Sequence, residues 1–120
     1  MRPVAAAAGV TRGTTMPPID ISPEHWEIVR GILHRNLPGH EVWAFGSRAK
    51  HTAKRYSDLD LAVITTVPVA SVVMAELIDD FSDSDLPWKV DVLDWATTSE
   101  GFRAIIERDK VVVQKGRVDG

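Results

Sequence analysis

Gly46-Ser47 and Asp58-Leu59-Asp60, separated by residues 48 to 57, are the residues of this sequence whose types and spacing suit chemistry. Residues i and i+2 of a strand project to one face, so Asp58 and Asp60 would stand side by side while Leu59, Leu61 and Val63 turn into a core. Two carboxylates so close repel each other and lose hydration, and an oxygen-preferring divalent cation is the common remedy. A glycine ahead of them lets the backbone approach a ligand with no Cβ in the way. A short helix opening at Ser47 to Ala49 would turn its N–H groups, and the Ser47 hydroxyl, toward phosphate oxygens. Together these features suit a nucleoside triphosphate and its metals. Alone, the Gly-Ser pair reads as an ordinary turn, and only the acids downstream give it weight.

Between the two motifs the chain carries Arg48, Lys50, Lys54 and Arg55, a basic stretch in an otherwise acidic protein. Arg48, next to the serine, is the residue expected at the phosphates; Lys50, Lys54 and Arg55 read equally as a solvated loop. Tyr56 has no expected role beyond packing. A third acid comes from Trp88 to Trp95, read as a strand. Trp88, Val90 and Val92 share one face, and Asp91 lies on the other with Lys89, which brings it to the open side of Asp58 and Asp60. Three carboxylates on two neighbouring strands would bracket two divalent ions. Asp94 has the opposite parity and reads as a surface or capping residue.

The elements that must position these residues are legible from periodicity. Ser22-Pro23 is a serine N-cap with proline at the first helical position, and Trp26, Val29, Ile32, Leu33 and Leu37 follow at helical spacing as far as Pro38-Gly39. Glu41 to Phe45 is the first strand and Asp58 to Thr65 the second. Val69 to Phe81 is a packing helix with Ala70, Val73, Met74, Leu77, Ile78 and Phe81 on one stripe. Asp79, Asp80, Asp83 and Asp85 then keep a connection in water. Thr97-Thr98-Ser99-Glu100 reads as a capping box with Glu100 reaching back, opening a helix whose buried edge is Phe102, Ile105 and Ile106. Lys110 to Gln114 is a last edge strand. On this reading residues 1–21 are a disordered lead-in, with Met16 as an alternative start, 22–115 are the domain and 116–120 a flexible tail.

Composition bounds the possibilities. A chain of 120 residues makes one domain with a single modest core. A net charge of -3 argues against a protein whose main partner is nucleic acid. The lack of cysteine excludes a disulfide framework and a thiolate metal site, and fits a reducing cytoplasm. No apolar run approaches a membrane span, and the Ala5 to Ala8 tract after Arg2 is too weakly hydrophobic for more than a faint signal-peptide pattern. His25, His34, His40 and His51 lack paired ligand spacings, so zinc is not expected.

With these residues in place, the sequence resembles a known superfamily. Gly46-Ser47 followed by Asp58-Leu59-Asp60 resembles the signature of polymerase β-type nucleotidyltransferases. The wider string GSRAKHTAKRYSDLDLAV, residues 46–63, is similar to the minimal nucleotidyltransferase (MNT) group, and Val90 to Asp94 to the segment where that group carries its third acid. The resemblance spans residues 23 to 114. One departure is His51, where related sequences often have glycine.

The resemblance implies an α/β (α+β) fold, a mixed sheet with helices packed on one face and metals on the other. It implies that Asp58 and Asp60 hold Mg²⁺ ions bridging the triphosphate of ATP, that Asp91 binds the second ion and helps deprotonate the acceptor hydroxyl, and that Gly46 and Ser47, with Arg48 beside them, hold the nucleotide. A hydroxyl would then attack the α-phosphorus and pyrophosphate would leave. Larger members bring an additional domain for the acceptor, and this chain has no residues left for one. The MNT group is often paired with HEPN ribonuclease toxins, and some members act as antitoxins by transferring AMP to a toxin tyrosine. The leading expectation is therefore an antitoxin that adenylylates a HEPN partner. Two others stand beside it: an antitoxin that blocks its partner by binding alone, and a small-molecule nucleotidyltransferase acting as a homodimer whose subunits complete each other's acceptor pockets.

Overall fold

The computed structural model describes residues 16–117. The Ala5 to Ala8 tract, most of the expected lead-in and the last residues of the expected tail lie outside that range. Helix α1 (Pro23–Asn36) begins where the sequence places it: the Ser22 side chain accepts the His25 N–H, and Pro23 loses no bond because the first helical N–H groups have no intrahelical acceptor. Strands β1 (Glu41–Phe45) and β2 (Leu59–Ile64) pair antiparallel. Helix α2 (Ser71–Ser82) then carries the chain to β3 (Val90–Asp94), which runs parallel to β2. A 3-10 turn (Trp95–Thr97), helix α3 (Glu100–Asp109) and strand β4 (Val111–Gln114), antiparallel to β1, complete the chain. The sheet order is β3-β2-β1-β4, a mixed sheet as expected.

The main core lies between the sheet and the helices α1 and α2. Val29, Leu33 and Leu37 from the α1 side meet Leu77 and Phe81 of α2 over Val42, Leu59, Leu61 and Val63 of the sheet. Asp80 ties the two helices together by accepting from Asn36 at 2.8 Å and from Arg35 at 3.3 Å. The stripe on α2 is narrower than its sequence suggests, because Ile78 is turned largely to solvent.

Helices on one face describes α1 and α2 but not α3. Ile106 is fully buried against Trp43, Phe45 and Ala62 on the opposite face, where Phe102 also meets Phe45 edge to face at 5.7 Å. An amphipathic helix discloses its apolar side but not which side of a sheet it will cover. Its start also differs from the expected capping box. Ser99, not Thr97, is the N-cap and accepts from Phe102 N–H, so Glu100 sits at the first helical position and is too early to reach back. Thr97 belongs instead to the 3-10 turn, capped by Asp94.

At the chain's edges the packing extends past the expected boundaries. Ile19 is buried in the main core and Asp20 N–H donates to Arg48 O, so residues 19–21 are part of the packed body and not of a lead-in. Arg117 N–H donates to Gly39 O.

Candidate active site

Strand register sets the site. Asp60 on β2 is paired with Phe45 of β1 on one side and with Asp91 of β3 on the other. Cross-strand partners share a face, so these three side chains form a row across the sheet. Leu59, Leu61 and Val63, all fully buried on the far side, fix this parity, since a slip of one residue would drive the acids into the core. Asp58, just ahead of β2, is exposed, as is Asp91, while Asp60 is half-buried.

Burial, then the charges of Asp91 and Asp58, push the Asp60 carboxyl up to about 6. Because folding raises this pKa, the folded chain binds the proton more tightly than the unfolded one, and stability falls as pH rises from about 4 to about 6. At neutral pH the ionised group is a net cost that a cation would relieve. Asp60→Asn should therefore flatten the pH dependence and raise stability at pH 7.5 by about 1 kcal/mol, the full value being reduced because solvent screens a half-exposed group. Urea unfolding at pH 5 and 7.5 measures both effects.

Gly46 follows β1 directly and is a glycine for two physical reasons. Its φ is +77°, a region that side-chain-bearing residues rarely occupy, and a Cβ added there would lie 2.5 Å from Asp60 Oδ2. The turn and the acid are thus in contact. Residues 47–51 form a hydrogen-bonded turn and not the expected helix: Lys50 N–H donates to Gly46 O and Thr52 N–H to Ser47 O. The chain leaves it through His51, whose φ is +59°, which accounts for a position that glycine suits. Ser47, next in the chain, is half-buried, and among the described residues its N–H and that of Arg48 donate to no backbone carbonyl.

Arg48 differs from its expected place at the phosphates. The side chain is only 5 % exposed, and each guanidinium nitrogen is held by main-chain carbonyls: Nε by Ser57 at 2.9 Å, Nη1 by Asp20 at 2.8 Å, Nη2 by Arg55 at 3.1 Å and Lys54 at 3.4 Å. Its flat face lies 4.4 Å from the Trp88 ring centroid. These bonds gather the loop that delivers Asp58, so four of the five guanidinium N–H groups are spent on main-chain carbonyls and Arg48 serves to position that loop. Arg48→Met should lower stability by about 2–4 kcal/mol, since it leaves several carbonyls without donors, and Arg48→Lys should recover little because an ammonium cannot span them. Chemical denaturation of the two variants checks this.

The other expectations resolve similarly. Lys50 pairs with Asp109 at 3.9 Å, whereas the Lys54 and Arg55 side chains are exposed. Tyr56, expected to pack, is 64 % exposed, with Arg55 over its ring. Asp94 has the predicted capping role: it accepts from Thr65 Oγ1, Val69 N–H and Ala96 N–H on the face away from Asp91. Lys89, on the same face as Asp91 by strand alternation, has its Nζ 3.3 Å from Asp91 Oδ1. Phe45, the cross-strand partner of Asp60, meets Phe102 edge to face, and Phe102, expected on the buried edge of its helix, is 39% exposed.

Asp58, Asp60 and Asp91 supply oxygen donors alone, a set that suits Mg²⁺ or Mn²⁺. The burial of Asp60 beside two further carboxylates, which favours its neutral form, is relieved by a cation and supports that fit. Among the described residues no three acids or histidines already converge as a ligand set, and Asp91 is engaged by Lys89. A ligated arrangement therefore requires the exposed Asp58 and Asp91 side chains to turn toward Asp60. No helix of the described residues is long and apolar enough to cross a membrane.

Comparison with known proteins agrees with this architecture. Residues 29–117 match the family model of the polymerase beta nucleotidyltransferase domain. A Haemophilus influenzae protein named probable protein adenylyltransferase MntA is 52% identical over 102 residues, which are 85% of this chain and 90% of that protein. Among solved structures, a toxin-antitoxin with AMP-PNP superposes with a TM-score of 0.63 at 23% identity, over 74% of this chain and 72% of the other. The complex of tri-AMPylated Shewanella oneidensis HEPN toxin with MNT antitoxin gives 0.54 at 19% identity, over 74% and 71%. At such identities the two structures share the fold.

Proposed function

The chain belongs to the polymerase β-type nucleotidyltransferase family, and from that premise we propose that it transfers AMP from ATP to a tyrosine hydroxyl of a HEPN-type toxin and so acts as an antitoxin. The observation that supports the proposal is the contact of Gly46 with Asp60, which strand register pairs with Asp91 and whose carboxyl is raised by burial and by the charges of Asp91 and Asp58. The 52% identity to a protein named as a protein adenylyltransferase supports the choice of a protein acceptor.

In this reading Asp58, Asp60 and Asp91 would hold two Mg²⁺ ions, and Gly46 and Ser47 would cradle the phosphates. When bound, the two ions would offset negative charge on both the entering and the departing oxygen. The acceptor oxygen forms a bond to the α-phosphorus, the bond from that phosphorus to the bridging oxygen breaks, and pyrophosphate leaves. Asp91, exposed at the edge of the row, takes the hydroxyl proton. The protein contributes alignment above all, because the chain, the bend and β2 are locked together through Gly46, Arg48 and the buried leucines. The ATP requirement fits a cytoplasmic protein.

Mass spectrometry of this protein with ATP, Mg²⁺ and the product of the neighbouring gene tests the reading. A gain of one or more AMP units on a partner tyrosine is the expected result. An unmodified partner that is nonetheless bound would leave an antitoxin that acts by binding alone.

A further inference from the structure

Lys89 stands one residue ahead of β3, and its carbonyl accepts the Leu59 N–H at 2.9 Å. That bond continues the parallel register and sets Lys89 beside Asp58, on the face it shares with Asp91 two residues on. Its ammonium is 3.3 Å from Asp91 Oδ1, and its side chain is 72% exposed. A cation is thus held by the acid row on a flexible four-carbon stem, free to swing into solvent.

We propose that Lys89 exchanges partners during the reaction cycle: it neutralises Asp91 in the nucleotide-free protein and passes to the outer phosphate oxygens of ATP once Asp91 is given over to a divalent cation. The inference rests on the reading of the three acids given above. Three neighbouring carboxylates repel one another, and the Lys89 pair relieves part of that repulsion while nothing else is bound. An exposed ion pair is weak, so it yields readily to a divalent ion. Released, the ammonium lies beside Asp58 at the same end of the site as the phosphates and meets the opposite charge there. Lys50, the cation of the bend, is directed to Asp109, while Arg48 is enclosed by carbonyls, so Lys89 fills the place at the phosphates that Arg48 leaves open.

Two binding measurements of opposite sign test this. In Lys89→Met, Mn²⁺ alone, followed by loss of its free electron paramagnetic resonance signal, should bind about two- to fivefold more tightly because its competitor is gone. AMP-PNP with Mn²⁺, followed by calorimetry, should bind about tenfold more weakly. Lys89→Arg should restore both values, and Lys89→Met in an Asp91→Asn background should no longer tighten Mn²⁺. Unchanged affinities, or two affinities moving in the same direction, overturn the exchange while leaving the metal site standing. A wild-type protein that binds neither Mn²⁺ nor AMP-PNP overturns the reading of the acids as well. Because Lys89 is exposed, Lys89→Met and Lys89→Arg should unfold close to the wild-type midpoint.

Discussion

Replacing Asp58 and Asp60 together by asparagine should reduce AMP transfer to the partner at least about a thousandfold, as expected when the charges that neutralise a transferring phosphoryl group lose their ligands. The substitution should not unfold the protein. Asp58 is exposed, and Asp60 is a carboxylate raised to about 6 by burial and by its acidic neighbours, so an amide of the same shape removes repulsion. A dead enzyme that is as stable as the wild type, or more so, is the combination expected of a site whose acids are kept for function against their folding cost. Transfer from labelled ATP measures the loss, and undiminished labelling would remove the enzymatic account. The same variant separates two kinds of antitoxin. If it still neutralises the toxin when co-expressed, neutralisation needs only binding; if neutralisation is lost with labelling, the chemistry is what protects the cell.

Gly46→Ala should have the second largest effect, with transfer falling about a hundredfold and stability by about 1–3 kcal/mol. Two penalties combine. The backbone at φ +77° is strained for any residue with a Cβ, and that Cβ would meet Asp60 Oδ2 at 2.5 Å. The carboxylate would have to leave its place in the row, and a displacement of about 1 Å at such a site is costly. Gly31→Ala is the matched control: a Cβ there meets nothing within 4 Å, and the helix α1 should gain up to about 1 kcal/mol. Adding Asp60→Ala to Gly46→Ala should recover part of the stability, because the clash is gone, and none of the transfer. Thermal unfolding alongside the transfer assay distinguishes these outcomes.

The acids were legible in the sequence because strand alternation is a rule about every second residue. The shared face of Asp60 and Asp91 followed from it, as did the opposite assignment of Asp94, and register joins the first two, whereas Asp58 lies just ahead of the strand to which the rule applies. Helix α1 was legible for a related reason, with a cap, a proline and a stripe that all agree. Arg48 was not. Its partners are main-chain carbonyls of Asp20, Lys54, Arg55 and Ser57, which every residue type carries and which only the folded loop brings together. The start of α3 was obscured by three adjacent good capping residues, Thr97, Thr98 and Ser99, among which the Asp94-capped turn decides. The side of the sheet that α3 covers depends on Trp43 and Phe45, which meet Ile106 from about sixty residues away in the chain. Lys89 is not legible as part of the site, because a lone lysine is ordinary until its distance to Asp91 is known.

The most direct test is a crystal structure of the protein with Mn²⁺ and AMP-PNP, using the anomalous signal of manganese to place the ions. The account predicts manganese within bonding distance of carboxylate oxygens from Asp58, Asp60 and Asp91, with the triphosphate against Gly46 and Ser47. Manganese away from this row, or a nucleotide seated elsewhere with Asp91 still on Lys89, would contradict it.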